Sequence, residues 1–147
     1  MIEQTFVIIK PDAINRRLVG SIIQRLERKN LRILRIESKQ KDCEWVRKMY
    51  PHVVTPTREL HSNIFYSNSY NQEFVAFMVS SPLIGITLEG NKAVSVVRKL
   101  VGATDSREAA PGTIRGDYGT YPIMFNCIHA SDSYENVERE AKLFYES

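Results

Sequence analysis

The chain has little cysteine and no long apolar run. Its 147 residues include two cysteines, Cys43 and Cys127, too few for the disulfide framework of a small secreted domain. No apolar segment approaches the roughly 20 residues that a membrane-spanning helix needs. The N-terminus lacks a basic region followed by an apolar core, which is the pattern of a secretory signal. These absences predict a cytoplasmic protein that does not associate with membranes.

The chain also lacks a strong excess of either charge. Twenty basic and seventeen acidic residues give a formal net charge of +3, which does not by itself imply a nucleic-acid partner. The chain contains neither the Gly-x4-Gly-Lys-Ser/Thr loop nor the Gly-x-Gly-x-x-Gly fingerprint. If the protein binds a nucleotide, it does so without either of these glycine-rich motifs. What is present, 43% apolar and 25% charged residues over this length, predicts one globular domain spanning residues 1–147.

Apolar periodicity predicts strands over 5–9, 31–40, 83–89 and 126–130. Helices are predicted over 19–26, over 74–78, after Asn91, and after the N-cap residues Asp42 and Ser133. Residues 51–69 show no sustained period and are interpreted as an irregular excursion, and 102–125 as a long loop. The order predicts an α+β, ferredoxin-like βαββαβ fold: an antiparallel four-stranded sheet with helices packed on one face, and a helical-hairpin insert.

Three histidines are candidates for chemistry. His52 and His61 fall in the irregular excursion and are interpreted as solvated surface residues. His129 ends the last predicted strand, where reactive groups are common, although a lone histidine there is more often structural. The spacing of His52, His61 and the cysteines matches no zinc pattern, so no metal site is predicted.

The helix after His129 could place Glu140 beside the imidazole. A carboxylate that accepts a hydrogen bond from one ring nitrogen fixes the tautomer and leaves the other nitrogen as a nucleophile. Ser131 could orient the same group or donate a proton to a leaving oxygen. From spacing alone, a solvated helix residue is the simpler interpretation of Glu140. Cys127 could share a strand face with His129 as a thiol nucleophile, but its apolar neighbours favour a buried core cysteine.

Scattered cations form a second group of candidates. Lys10 ends the first predicted strand, Arg98 lies in the helix before the long loop, and Arg115 lies in the glycine-rich segment 111–117. Arginine forks and a lysine point charge suit phosphate oxygens, and glycines allow the backbone to approach a ligand closely. Each cation taken alone is equally well explained as a surface charge.

Three segments, taken together, resemble the nucleoside diphosphate kinase family. Residues 5–12, Thr-Phe-Val-Ile-Ile-Lys-Pro-Asp, resemble the family's opening strand and its lysine. Residues 102–104 with 111–117 are similar to its long loop, and 126–133, Asn-Cys-Ile-His-Ala-Ser-Asp-Ser, to its active-site segment. The three segments come in the family's order, and the resemblance runs from about residue 5 to 144.

The resemblance implies a ping-pong transfer of the γ-phosphate from a nucleoside triphosphate such as ATP to a nucleoside diphosphate, through phosphohistidine on His129. Glu140 and Ser131 match the family's orienting residues, and Lys10 completes the expected catalytic group. The expected nucleotide-binding residues are Lys10, Tyr50, Tyr70, Phe74, Arg98, Thr104, Arg115 and Asn126. Among them, Tyr70 is assigned by counting back from Pro82 as the residue that stacks on the base, with Phe74 at the rim. Mg²⁺ is expected to arrive with the nucleotide, held mainly by phosphate oxygens.

The resemblance also implies a homo-oligomer, because the family forms hexamers and tetramers from a shared dimer. The chain departs from the family pattern in three places. It carries roughly ten extra residues between Tyr50 and Phe74, an insertion of a size that surface loops tolerate. Asp105-Ser106 stands where Asn-Pro is usual, and Ala130 stands where glycine is often found.

Two other functions are alternatives to an active kinase. One is a catalytically silent relative that binds nucleotides or partners; the complete set of expected site residues argues against it. The other is an RNA-binding module, since the same order of elements occurs there. That module carries paired aromatics in a Lys/Arg-Gly-Phe/Tyr-Gly/Ala-Phe run, which this chain lacks, so no nucleic acid is expected to be needed for activity.

Overall fold

An antiparallel four-stranded sheet forms the centre of the fold, in a computed structural model that describes residues 1–51 and 64–146, with the backbone alone for 64–70. The strands are β1 (Ile2–Ile9), β2 (Arg32–Lys39), β3 (Leu83–Asn91) and β4 (Ile128–Ala130). Their order across the sheet is β2-β3-β1-β4, with every neighbouring pair antiparallel. This order confirms the predicted ferredoxin-like arrangement.

Helices connect and cover the strands. They are α1 (Pro11–Asn15), α2 (Val19–Glu27), α3 (Cys43–Met49), α4 (Ile64–Met78), α5 (Ala93–Val101), α6 (Ile114–Tyr118) and α7 (Tyr134–Tyr145). In the described part of the chain, none of them combines the length and apolar character needed to cross a bilayer.

The helices cover both faces of the sheet, not one face as predicted. Side chains along β1 alternate between two apolar clusters: Val7 and Ile9 pack with α2 and α5, while Phe6 and Ile8 pack with α3, α4 and α7. All four are fully buried. A strand covered on both faces needs apolar residues at consecutive positions, which explains the unbroken apolar run in β1.

Local signals placed several element boundaries correctly. Asp42 accepts a hydrogen bond from the Trp45 backbone N–H at 2.9 Å, and Ser133 accepts one from Asn136 at 3.2 Å, so both predicted N-caps are confirmed. Leu34 interrupts the alternation of β2, and the pairing of β2 with β3 shifts register at this residue. The irregular pattern in the sequence therefore corresponds to a β-bulge.

Other boundaries differ from prediction. Helix α4 begins at Ile64, so 64–69 is helical and not irregular; polar residues in this stretch, such as Asn68, hide its periodicity. Helix α6 lies inside the segment predicted as one long loop, and Thr113 caps it. Cys127 has φ +74°, a left-handed conformation that strands do not contain, so β4 begins at Ile128. Cys127 and His129 therefore do not share a strand face. His52 and His61 lie outside the described residues.

Candidate active site

A cavity of about 570 Å³ opens beside β4 and brings most of the predicted residues together. It is lined by Lys10, Tyr50, Phe74, Arg98, Thr104, Arg115, Asn126, His129 and Glu140, among others. Ser131 lies directly behind this lining, fully buried and bonded to Glu140. Tyr70 belongs to helix α4, but its side chain lies outside the described part of the structure.

Helix α7 brings Glu140 to the imidazole of His129. Nε2 of His129 lies 2.7 Å from Oε1 of Glu140, and Oγ of Ser131 donates to the same oxygen at 2.6 Å. An ionised carboxylate only accepts hydrogen bonds, so Nε2 carries the proton and Nδ1 has a free lone pair in the neutral ring. The interpretation of Glu140 as a solvated helix residue is therefore wrong, because its side chain is 6% exposed and bonded to His129.

Several contacts keep Glu140 ionised. Burial alone would raise its pKa, but the hydrogen bond and charge of His129, the hydrogen bond from Ser131 and the nearby Arg139 outweigh burial. The pKa of Glu140 consequently lies below its ordinary value. Arg139 contributes directly, since its NH2 group lies 3.4 Å from Oε2 of Glu140.

Lys10 is a buried cation at one side of the cavity. Its Nζ donates to Oδ1 of Asn126 at 2.8 Å, and Nδ2 of Asn126 donates to the carbonyl of Thr104 at 2.8 Å. Burial lowers the pKa of Lys10 to about 7; Asp12 and Cys127 act against that shift and Arg115 adds to it. A ligand that brings negative charge is the simplest way to stabilise this ammonium.

Arg98 and Arg115 add positive charge to the cavity lining. Arg115 is 5% exposed, and its fork donates to the carbonyls of Gly102 at 3.1 Å and Ile128 at 2.6 Å. Burial, then repulsion from Arg98, lowers the pKa of Arg115 to about 10, so it stays charged at neutral pH. Arg98 donates to the carbonyl of Ala130 at 3.4 Å. Lys10, Arg98 and Arg115 thus concentrate positive charge in one cavity, which suits an anion with several oxygens.

Aromatic side chains form the wall next to His129. The Tyr50 ring meets the His129 ring edge-on, with centroids 5.4 Å apart, and the Phe74 ring edge-on at 5.0 Å. Burial, reinforced by Glu140, raises the pKa of Tyr50, so its hydroxyl is neutral. Phe74 lines the same cavity, is 6% exposed and lies 5.7 Å from Nζ of Lys10, so it packs in the wall beside Tyr50.

Arg139 and Asp12 are among the residues in and around the site that the sequence did not predict. Arg139 lines the cavity, and its NH1 and NH2 donate to the carbonyls of Lys48 and Met49 at the end of α3. Its position next to Glu140 on α7 was the one available signal. Asp12 contacts the backbone of Cys127 at 3.0 Å, a pairing across 115 residues that no local pattern reveals.

The thiol of Cys127 is not activated at this site. Burial, reinforced by Asp12, raises the pKa of Cys127 to about 12, which makes its thiol a poor nucleophile. Within residues 1–51 and 64–146, no three His, Cys, Asp or Glu side chains are grouped so that they could hold a metal ion.

The chain is similar to proteins of one family along nearly its whole length. The family model described as "Nucleoside diphosphate kinase" matches residues 3–147. A protein of that name from Hyperthermus butylicus is 44% identical over 144 residues, covering 98% of this chain and 92% of the relative.

Solved structures of nucleoside diphosphate kinases have a similar fold. A nucleoside diphosphate kinase from Encephalitozoon cuniculi has a TM-score of 0.82 at 40% identity, covering 99% of this chain and 90% of that one. A halophilic one from Halobacterium salinarum, in complex with CDP, has a TM-score of 0.84 at 36% identity, covering 100% of this chain and 90% of that one.

Proposed function

This chain belongs to the nucleoside diphosphate kinase family, and from that premise we propose how its site carries out the reaction. The protein is a nucleotide-binding phosphotransferase, and the similarity supports an active kinase rather than a catalytically silent relative. The proposed reaction moves the γ-phosphoryl group of a nucleoside triphosphate to a nucleoside diphosphate in two half-reactions.

His129 is the proposed nucleophile, and the 2.7 Å contact between its Nε2 and Glu140 is the observation that supports this role. In the first half-reaction the lone pair of Nδ1 forms a bond to the γ-phosphorus, and the bond from that phosphorus to the β,γ-bridging oxygen breaks. The nucleoside diphosphate leaves with that electron pair. Glu140 stabilises the positive charge that develops on the ring, because its carboxylate holds the proton on Nε2.

The second half-reaction reverses the first with a different nucleotide. A terminal β-phosphate oxygen of the acceptor attacks the phosphorus, the bond to Nδ1 breaks, and its electrons return to the ring. The imidazole is then neutral with its proton still on Nε2, ready for another cycle. Atoms and charge balance without any oxidant, reductant or further acid.

The surrounding cations bind and orient the phosphates. Phosphoryl transfer depends mainly on position and on positive charge around the migrating group. Lys10, Arg98 and Arg115 supply that charge, with Lys10 aligned by Asn126. Thr104 lines the cavity and its carbonyl accepts from Asn126; we assign its hydroxyl to a phosphate or ribose oxygen, as the resemblance implies.

Base binding rests on stacking in this proposal. We assign Tyr70 to the base, as the resemblance implies, with Tyr50 and Phe74 forming the wall beside His129. Stacking on an aromatic ring is tolerant of sequence, because every base has a π-face. The substrates are therefore nucleoside diphosphates and triphosphates as a class, with little discrimination between bases.

Mg²⁺ fits this site as a companion of the nucleotide phosphates. The carboxylate of Glu140 is occupied by His129 and Ser131, and Asp132 accepts a hydrogen bond from Asn136 at 2.7 Å. The cavity is otherwise rich in cations, which disfavours a bare metal ion. When bound with the nucleotide, the ion neutralises phosphate charge.

We also propose that the chain is a single domain that forms homo-oligomers in the cytoplasm. One apolar cluster packs on each face of a single sheet, and the family match spans residues 3–147. Strand β2 is an edge of that sheet, with Leu34 and Ile36 exposed by 39% and 48%, a surface suited to a second copy. Cys43 and Cys127 are both free thiols, as in reducing compartments.

Initial-rate kinetics test the proposed function. We expect ATP and a second nucleoside diphosphate, varied against each other, to give parallel double-reciprocal lines, because the phosphoryl group passes through the enzyme. Intersecting lines would contradict a phosphoenzyme, since they indicate direct transfer in a ternary complex. Absence of turnover in folded protein with Mg²⁺ would favour the silent relative.

A further inference from the structure

The backbone turns sharply at Cys127, immediately before the strand that carries His129. Cys127 has φ +74°, a left-handed conformation that costs a residue with a side chain roughly 1 kcal/mol or more. The residue is fully buried, so water does not stabilise its backbone groups. Such a turn persists only where neighbouring groups hold it in place.

The segment from Lys10 to Asp12 holds both polar backbone groups of Cys127. The N–H of Lys10 donates to the Cys127 carbonyl at 2.9 Å, and the N–H of Cys127 donates to Oδ2 of Asp12 at 3.0 Å. A buried N–H without an acceptor costs about 1–3 kcal/mol, so Asp12 contributes directly to the stability of this turn.

Site residues lie on both sides of the turn. Asn126 precedes it and accepts from Nζ of Lys10 at 2.8 Å. Ile128 follows it and accepts from Arg115 at 2.6 Å through its carbonyl. His129 is the next residue in β4. A change in the backbone at Cys127 would therefore move Asn126 and Ile128, which bind the two cations, together with the nucleophile His129.

Asp12 also acts on Lys10 through its charge. Its second oxygen, Oδ1, is buried and has no hydrogen-bond partner among the residues that the structure describes. Among the described residues, Asp12 of α1 favours the charged form of Lys10 and Arg115 of α6 disfavours it, while Cys127 would favour it only as a thiolate. From α4, Phe74 and Phe77 present rings 5.7 and 5.6 Å from Nζ. His129 and Glu140 line the same cavity.

We propose that Asp12 is a positioning residue of the kinase site, which holds the turn at Cys127 with one carboxylate oxygen and stabilises the ammonium of Lys10 with its negative charge. The role rests on the proposed function, because it acts through residues assigned to nucleotide binding and transfer. It joins the end of β1 to the start of β4, the two strands from which Lys10 and His129 are presented.

Two substitutions separate the hydrogen bond from the charge. Asp12→Asn keeps an oxygen that can accept from the Cys127 N–H and removes the negative charge, whereas Asp12→Ala removes both. Asp42→Asn is the matched control, since Asp42 caps α3 away from Lys10. For each protein, ADP affinity is measured from pH 6 to 9, with kcat, KM and thermal unfolding beside it.

For Asp12→Asn we expect a thermal unfolding temperature close to that of wild type. The fall in ADP affinity with rising pH should begin at a lower pH than in wild type. At pH 8 the loss should be about tenfold, because a neighbouring charge shifts a pKa by roughly one unit or more, while at pH 6 the affinities should agree within about twofold. For Asp12→Ala we expect a lower kcat at every pH, because the turn also loses its acceptor. Asp42→Asn should follow wild type.

An unchanged pH profile in Asp12→Asn would overturn the electrostatic part of the proposal. An Asp12→Ala protein that folds and keeps the wild-type kcat would overturn the positioning part. If Asp12→Ala does not fold, Asp12→Asn still decides, through its pH profile. A wild-type protein that binds ADP but transfers no phosphate would instead contradict the proposed function, so the two failures are distinguishable.

Discussion

Oε1 of Glu140 lies 2.7 Å from Nε2 of His129, across eleven residues that lead from the last strand into the last helix. The contact assigns the proton to Nε2 and leaves Nδ1 with a free lone pair. A histidine that must act as a nucleophile needs this arrangement, because the attacking nitrogen has to be unprotonated while the ring can accept positive charge.

Replacing Glu140 with Gln tests this contact. The amide keeps the shape of the side chain but loses the charge that stabilises the ring during attack. We expect the rate of phosphoenzyme formation to fall on the order of a hundredfold, with nucleotide affinity little changed. Rapid-quench measurements with labelled ATP give this rate. Glu138→Gln, on the exposed side of the same helix, is the control, and an equal loss in both variants would contradict the assignment.

Replacing Arg115 with Lys tests the forked contact between the long loop and β4. Arg115 donates to two carbonyls while facing the cavity, and a lysine cannot reproduce that planar geometry. We expect KM for the nucleotide to rise about tenfold and the free energy of unfolding to fall by about 1–2 kcal/mol. Steady-state kinetics and chemical denaturation measure the two effects. Arg107→Lys, an exposed substitution that keeps its charge beside Asp105, should change neither.

Binding of ADP should be coupled to proton uptake by Lys10. Burial lowers the pKa of Lys10 to about 7, so at pH 8 the side chain is mostly neutral before binding. Bound phosphate favours the ammonium and raises this pKa, so binding at pH 8 should take up close to one proton, and binding at pH 6 almost none.

Calorimetry in two buffers with different ionisation heats measures this proton uptake. Lys10→Met should abolish the buffer dependence at pH 8, while the exposed Lys99→Met should retain it. A binding heat that is the same in both buffers for the wild-type protein at pH 8 would show that Lys10 is already charged.

Replacing Tyr70 with Ala tests the base-stacking assignment. Stacking on an aromatic ring is worth roughly 1–3 kcal/mol per base, so affinity should fall about tenfold for adenine, guanine, cytosine and uracil nucleotides alike. Fluorescence or calorimetric titration with each nucleotide gives the comparison. Tyr66→Ala, one helical turn earlier, is the matched control. If Tyr66→Ala weakens binding and Tyr70→Ala does not, the alignment across this helix is wrong.

Sequence reasoning succeeded where the determinants are local. The N-caps Asp42 and Ser133 act on backbone groups three residues away, so their effect is visible in the sequence. The break in alternation at Leu34 is also visible in the sequence, although only the structure shows that it is a bulge. The start of α4 could not be predicted in this way, because the polar run Ser67-Asn68-Ser69 interrupts any apolar stripe before Phe74 and Val75, which enter the core.

The site is assembled from contacts between residues that are far apart in the sequence. The resemblance to a family selected Lys10, His129 and Glu140. The residues' own spacing left Lys10 and Glu140 with a simpler explanation as surface groups, and His129 with one as a structural residue. The structure places Lys10 against Asn126 across 116 residues, and Asp12 against Cys127 across 115. Contacts of this length depend on how β1 and β4 pair, which periodicity within either segment does not determine.

The most direct measurement exposes the purified protein briefly to ATP labelled at the γ-phosphate, with Mg²⁺ and no acceptor. Wild type and His129→Ala are compared, and the label on the protein is tested for stability in acid and base. The predicted result is an acid-labile, base-stable label on wild type alone, discharged by a second nucleoside diphosphate, with nucleotide binding retained in His129→Ala. Label on both proteins, or on neither while both are folded, would contradict the assignment of His129 as the nucleophile.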